Sequence, residues 1–386
     1  MSPRPVSVLV VDDSAVIRGL MARVIEGTEG FKLAGTAMHG EAALAFLRRN
    51  PVDVVLLDVE MPVMNGLEAL RHIQAEFPRV HVIMASALTT AGAQVTVQAL
   101  AQGAAGCVAK PQAKSAADAI AQVGAELVPL IQALVIRPDL EQPVSASLAD
   151  GFTTEAGGQR TRSSSTFNGS SATIRHREAP PAVASFRRKM PRAIDAIVIG
   201  TSTGGPKALS QILSNIDETI WQPILIVQHM PAAFTPMLAK HLGSDARRVC
   251  VEAQTGMPIR PRQIYVAPGD YHLEVVRQGN DVFARLNQNP PEHYCRPSVN
   301  PLFRSAAEVW GKRLAAVMLT GMGDDGIESI QLVHQADGYI LAQDAASSVV
   351  WGMPGAVVKA GLCDECLPLS EIPSRIRQIA AWKGVA

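Results

Sequence analysis

Short apolar runs alternate with amphipathic stretches twice along this chain, and that rhythm limits what it can fold into more than any other feature. In the first pass, residues 6–11, 52–57, 80–85 and 106–109 predict strands, with 32–35 as a weaker one. The spacing predicts helices over 15–26, 41–49, 67–77, 91–102 and 113–134. Alternation of this kind implies a parallel sheet with helices on both faces. The rhythm restarts at Ala193, with apolar strands at 194–199, 224–228 and 314–319. Between them, residues 271–286 alternate around Gln278-Gly279-Asn280 as an antiparallel hairpin would. The fold class expected is therefore α/β: two doubly wound parallel-sheet domains, the second with a β-hairpin insertion.

Between the two passes the pattern dissolves. Ser163-Ser164-Ser165, Gly169-Ser170-Ser171 and Pro180-Pro181 predict a flexible linker over 136–192, joining domains at 1–135 and 193–386. The second half of the linker is basic, including Arg160, Arg162 and the run Arg187-Arg188-Lys189, against the single acid Glu178. A run like this is usually a solvated segment, with docking on an acidic surface as the second reading. The whole chain balances 35 Lys and Arg against 35 Asp and Glu, so no overall field attracts a polyanion, and nucleic acid is not an expected partner. The longest apolar run, 127–136, is broken by Pro129 and Gln132, and no membrane insertion is expected. The first residues lead straight into a strand, and no secretory signal is visible. Five cysteines, odd in number and sparse, argue against a disulfide framework and for a reducing cytoplasm.

Chemistry-bearing residues collect at the predicted strand ends. In the first domain these are Asp12 and Asp13, then Asp58, Ser86 and Lys110. In a doubly wound sheet all of these open at the carboxyl edge, where ligands bind. Three carboxylates together repel one another unless a hard cation such as Mg²⁺ lies among them. A carboxylate so placed can attack a phosphoryl group while Lys110 neutralises the moving charge. A lone Asp would be a helix cap more often than not, but five matching positions on four strand ends make that reading poor.

The motifs VVDDS (10–14), LLDVEMPVMNG (56–66), MAS (84–86) and AKP (109–111) resemble the response-regulator receiver family. The resemblance implies a flavodoxin-like domain in which Asp58 accepts a phosphoryl group from a chemotaxis histidine kinase. It places Asp12, Asp13, Asp58 and the carbonyl of Glu60 around Mg²⁺, and makes Ser86 and Lys110 the switch hydroxyl and lysine. One departure stands out: Cys107 holds the place of the aromatic residue that usually rotates on activation.

In the second domain, residues 197–205 run from a strand through Gly200-Thr-Ser202-Thr-Gly204 into a helix, a G-x-S-x-G setting that can expose a serine hydroxyl. Alone that motif is weak, and Ser202 could simply cap the helix. His229 follows the next strand, and Thr320-Gly-Met-Gly-Asp-Asp-Gly326 follows the strand at 314–319. Serine, histidine and an acid thus emerge at one sheet edge, as a proton-relaying triad requires. Their order in the chain matches none of the α/β-hydrolase, chymotrypsin or subtilisin orders. Gly321, Gly323 and Gly326 would let backbone N–H groups approach an oxyanion.

The stretches IGTSTGGPKAL (199–209), VQHMP (227–231), LTGMGDDG (319–326) and AQDAASSVVWGMPGAV (342–357) resemble the chemotaxis protein-glutamate methylesterases. The resemblance implies a Rossmann-like hydrolase domain with Ser202 as nucleophile, His229 as base, Asp325 as orienting acid and the backbone at Met322 as an oxyanion donor. It departs at Asp324, where Asn is usual, and at Asn300, where Asp is common. The substrates implied are γ-glutamyl methyl esters of methyl-accepting chemoreceptors, with glutamine deamidation open to the same acyl-enzyme and no cofactor for the hydrolysis. The implied role is adaptation in chemotaxis, with the unphosphorylated receiver covering the active-site edge. A phosphorylation-controlled binding module with an inert triad is the runner-up, and a generic serine esterase comes third. Cys363-Asp-Glu-Cys366 lacks the further ligands zinc needs, and the methionines mostly fill the core, although Met230, Met322 and Met353 adjoin the matched motifs.

Overall fold

The computed structural model describes residues 4–87, 89–111, 115–135, 193–216 and 219–381. The linker expected at 136–192 lies outside them. In the first lobe β1 (Val6–Val11), β2 (Phe31–Ala37), β3 (Val54–Asp58), β4 (His81–Ser86) and β5 (Gly106–Ala109) form one sheet in the order β2-β1-β3-β4-β5. All four neighbouring pairs are parallel. The helices are α1 (Ala15–Glu26), α2 (Gly40–Leu47), α3 (Gly66–Glu76), α4 (Thr90–Gln102) and α5 (Ala116–Val135). Local chemistry starts four of them: the side chains of Ser14, His39, Asn65 and Thr89 accept from Ile17, Ala42, Glu68 and Gly92 N–H, which satisfies free first-turn donors. By length and composition alone, α5 is the one helix among the described residues that could cross a membrane. Its Val123, Leu127, Ile131 and Leu134 are buried in the lobe's core.

In the second lobe β6 (Ala196–Thr201), β7 (Ile224–Gln228), β8 (Cys250–Glu252) and β9 (Ile264–Val266) precede the hairpin β10 (His272–Gln278) and β11 (Asp281–Asn287). Then come β12 (Leu314–Met318), β13 (Tyr339–Gln343) and β14 (Glu365–Leu367). The main sheet runs β14-β13-β12-β6-β7-β9-β8 with every pair parallel, and the hairpin forms a two-stranded sheet of its own. Its helices are α6 (Gly205–Leu213), α7 (Thr235–Ala246), α8 (Val299–Trp310), α9 (Ile327–Gln335), α10 (Met353–Lys359) and α11 (Ile372–Ala381). Strands β6, β7, β12 and β13 are buried along their whole length, as the near-continuous apolar runs require of a sheet covered on both faces. The α/β expectation for both halves, hairpin included, is what the fold contains.

The two lobes pack into one compact unit. Helix α4 lies against α6 and α7, so that Val97 and Leu100 share an apolar cluster with Leu209, Ile212 and Leu238. Val349 and Val350 of the second lobe join the cluster formed by β5 and α5.

Candidate active site

The strand β6 delivers Ser202 and the strand β7 delivers His229, and the two strands are paired neighbours in the centre of the sheet. Ser202 is not the cap of α6. The N-cap is Gly204 at φ 77°, with no side-chain cap, and Pro206 occupies the first turn. The serine side chain is therefore spare for chemistry. Its backbone is clamped from three sides: Ser202 N–H donates to the Thr320 carbonyl at 3.0 Å, and its carbonyl accepts from Gly205 N–H at 2.8 Å and Gln228 Nε2 at 2.9 Å. A side chain at Gly321 would collide with Ser202, its Cβ lying 2.9 Å from that of the serine, so the loop after β12 can approach only as glycine.

His229 Nε2 lies 2.7 Å from Asp325 Oδ2. Asp325 is 2% exposed, and a buried carboxylate needs donors. It has three: His229, Ser298 Oγ at 2.7 Å and Val299 N–H at 2.7 Å, the last two from the start of α8. Burial acts to raise the Asp325 pKa, but these bonds outweigh it and hold the group below its ordinary value. Burial likewise acts to lower the His229 pKa, and the bond to Asp325 together with contact to Cys295 reverses that, raising it to about 9. The other ring nitrogen, Nδ1, faces Cys295 Sγ at 3.4 Å.

Around this pair, the loop 320–326 supplies the third element of the sheet edge. Gly321 N–H is engaged by the Val350 carbonyl at 3.0 Å, whereas among the described residues the N–H of Met322 meets no acceptor. Thr320 pins the loop through hydrogen bonds from its hydroxyl to the Thr203 and Val350 carbonyls and from Val349 and Val350 N–H. Asp324 points away to His293 Nδ1 at 3.0 Å, and Asn300 accepts from Ser329 N–H at 3.1 Å; neither side chain touches Ser202, His229 or Asp325. Of the three methionines, Met230 lines a cavity with Ser202 and His229, Met353 is fully buried beneath Gly321, and Met322 is partly exposed. That cavity, about 110 Å³, is closed from the other side by Leu100, Ala105, Cys107 and Leu130 of the first lobe.

At the carboxyl edge of the first sheet, Lys110 Nζ bridges Asp12 Oδ2 at 2.8 Å and Asp58 Oδ1 at 2.7 Å. Burial pushes the Asp58 pKa up and neighbouring Asp12 adds to it, while the Lys110 bond opposes both. Burial would lower the Lys110 pKa, but its two carboxylate partners raise it. Ser86 is fully buried, with its hydroxyl donating to the Ala87 carbonyl at 3.2 Å. Glu60 N–H reaches Asp58 Oδ1 at 3.4 Å. The Asp12, Asp13 and Asp58 carboxylates bring ligand oxygens within 4.8 Å of one another, and buried Asp58 Oδ2 has no hydrogen-bond partner. An all-oxygen donor set with an unsatisfied buried oxygen fits a hard divalent cation.

Several residues of the site were not singled out from the sequence. Ser298 stands inside the RPSVN stretch and Gln228 inside VQHMP, so the motifs contained them without revealing what they touch. Cys295 gave no signal, since its contact to His229 spans 66 positions of the chain. All five cysteines are free thiols.

Known proteins resemble this chain along nearly its whole length. Residues 8–122 match the family model for the response regulator receiver domain, and residues 197–376 match the model for the CheB methylesterase. The protein-glutamate methylesterase/protein-glutamine glutaminase 1 of Paramagnetospirillum magneticum is 44% identical over 98% of this chain and 98% of its own length. Its counterpart in Azospirillum brasilense is 41% identical over 98% of this chain and 93% of its own. The crystal structure of the Thermotoga maritima CheB methylesterase catalytic domain is 37% identical, covers 48% of this chain and 99% of that one, and has a TM-score of 0.48. Matched by both domain models and by relatives more than 40% identical over nearly their full length, the chain belongs to the protein-glutamate methylesterase/protein-glutamine glutaminase family.

Proposed function

We propose that this chain hydrolyses γ-glutamyl methyl esters on methyl-accepting chemoreceptors in chemotactic adaptation, deamidates receptor glutamines at the same centre, and is switched by phosphorylation of Asp58. The observation that carries the hydrolase reading is the 2.7 Å His229–Asp325 pair, held beside Ser202 on the adjoining strand end.

Asp325 occupies Nε2, so Nδ1 is the nitrogen that takes the Ser202 proton as the hydroxyl attacks the ester carbonyl. Asp325 fixes the tautomer and balances the imidazolium. The developing oxyanion meets the free Met322 N–H; one such donor is typically worth about 3 kcal/mol of barrier. Methanol departs with the proton from Nδ1, and water then takes the serine's place as nucleophile on the acyl-enzyme, returning the serine proton through the same nitrogen. A glutamine side chain enters identically with ammonia as the leaving group. No cofactor is needed for these steps.

In the first lobe, Asp58 receives the phosphoryl group from a chemotaxis histidine kinase. Asp12, Asp13, Asp58 and the Glu60 carbonyl would hold Mg²⁺, which would offset phosphoryl charge. Lys110 and Ser86 contact the phosphorylated side chain. The phosphoryl oxygens must then compete for Lys110, which now ties Asp12 to Asp58, and that rearrangement loosens β5 and α4 from the second lobe. The domains proposed are 1–135, 136–192 and 193–386, acting in the cytoplasm. Methanol release from methylated receptors, with and without a small phosphodonor, tests the reading; a rate unaffected by Ser202→Ala would defeat it.

A further inference from the structure

The nitrogen that Asp325 leaves free faces a thiol. His229 Nδ1 lies 3.4 Å from Cys295 Sγ, within the reach of a hydrogen bond to sulfur, and among the described residues Ser202 Oγ has no hydrogen bond. Cys295, His229 and Asp325 thus form a continuous thiol–imidazole–carboxylate chain. The loop that presents Cys295 is held rigidly. Cys295 N–H closes a turn onto the Glu292 carbonyl at 2.9 Å, and Arg304 grips Glu292 at 2.8 Å. His293 is bound to Asp324, and Arg296 to Asp270 at 2.6 Å. Cys295 is only partly buried.

Among the described residues, the other four cysteines have no imidazole partner. Burial pushes the Cys107 and Cys250 thiols up to about 12, and Cys363 and Cys366 up to about 11. A thiol that stays protonated at neutral pH is a poor nucleophile, whereas one beside a neutral imidazole has an acceptor for its proton.

We propose that Cys295 is a peroxide-sensitive modification site, activated by His229, whose oxidation silences the hydrolase. With His229 in its neutral form, which grows as pH rises toward 9, the thiol proton passes to Nδ1 and the sulfur attacks one peroxide oxygen. A sulfur–oxygen bond forms, the oxygen–oxygen bond breaks, and the departing hydroxide takes the proton from Nδ1 to leave as water. Sulfur is oxidised from thiol to sulfenic acid and peroxide is reduced to water. The sulfenic acid keeps Nδ1 occupied, so Ser202 loses its base. Two equivalents of a small thiol reverse the step, yielding water and a disulfide of that reductant.

The test treats the full chain with dilute hydrogen peroxide, traps sulfenic acid with dimedone, and maps the adducts by mass spectrometry. Methanol release is measured in parallel, each protein against its own untreated rate. Cys295 should be labelled at least about tenfold faster than any other cysteine, with a matching loss of turnover that dithiothreitol restores. His229→Gln should slow the labelling of Cys295, and Cys295→Ala should keep its own rate after peroxide. The loss of turnover rests on the base role proposed for His229, while the labelling does not. Equal labelling of all five thiols, or peroxide inactivation of Cys295→Ala, would overturn the proposal. An untreated chain that releases no methanol would instead count against the proposed function.

Discussion

The Ala105 carbonyl, at the entrance to β5, accepts a hydrogen bond from Gly204 N–H at 3.2 Å, two residues beyond Ser202. Gly204 begins α6 without a side-chain cap, so its N–H is one of the donors a helix start leaves unsatisfied. The receiver lobe thus supplies a missing cap to the turn that carries the serine. Docking and coverage of the cavity are one contact.

Under the proposed function, that contact restrains the resting chain. Leu100 of α4 is 3% exposed and lines the covered cavity, so Leu100→Glu places a charge where no partner waits. Without a phosphodonor, its methanol release should exceed that of the parent by about tenfold or more, as a penalty of a few kcal/mol on docking implies. A fragment beginning at Ala193 should behave likewise. A fragment slower than the resting full chain would rule out simple covering.

Control should pass through Asp58 alone. Asp58→Asn removes the phosphoacceptor yet keeps an oxygen for Lys110, so phosphodonor stimulation should vanish while resting turnover stays within about twofold. Mg²⁺ should raise the melting temperature of the parent chain by relieving the crowding of Asp12, Asp13 and Asp58. The same addition should do less for Asp58→Asn.

The adjacent acids Asp324 and Asp325 should behave as opposites. Asp325 is buried with three donors, and Asp325→Asn can no longer hold the His229 tautomer; by analogy with other triads turnover should fall about 10⁴-fold. The Asp324 side chain is 65% exposed and binds only His293 among the residues of this site, a surface pair worth about 0–1 kcal/mol. Asp324→Asn should therefore leave both turnover and melting temperature nearly unchanged. The reverse pattern in a steady-state assay would reassign the acid.

His229 sets the pH dependence. Its folded pKa is raised to about 9 from an ordinary 6.5, so the stability this provides is fully present below pH 6.5 and is lost as pH climbs through about 9. The base form grows over the same interval, so turnover should rise from neutral pH toward 9 while the melting temperature declines. Replacing His229 with Gln should flatten the melting-temperature profile across that window. A turnover optimum on the acid side of neutrality would contradict the assignment.

The strand ends were legible because each stands at the close of a long apolar run, and the positions of Asp12, Asp58, Ser202 and His229 follow directly. The strands β8, β9, β13 and β14 were not: three of them are three residues long and β13 only five, too short to carry a period. Asp325 could be placed at the sheet edge from sequence, but its support from Ser298 and Val299 arises only when α8 folds back over β12. Cys295 was silent for the same reason: a tertiary contact decides its neighbour, and nothing local announces it. The helix-cap reading of Ser202 was open from sequence and is closed by geometry, because Gly204 takes the cap.

In the proposed function, Ser202, activated by His229, hydrolyses receptor methyl esters under the control of the receiver lobe. The most direct measurement is methanol release from methylated receptors by the full chain, compared with Ser202→Ala and His229→Ala, each with and without phosphodonor. Release should be stimulated by phosphodonor in the parent and should fall by several orders of magnitude in both variants, the double variant being little worse than either. Near-parental release from Ser202→Ala would contradict it.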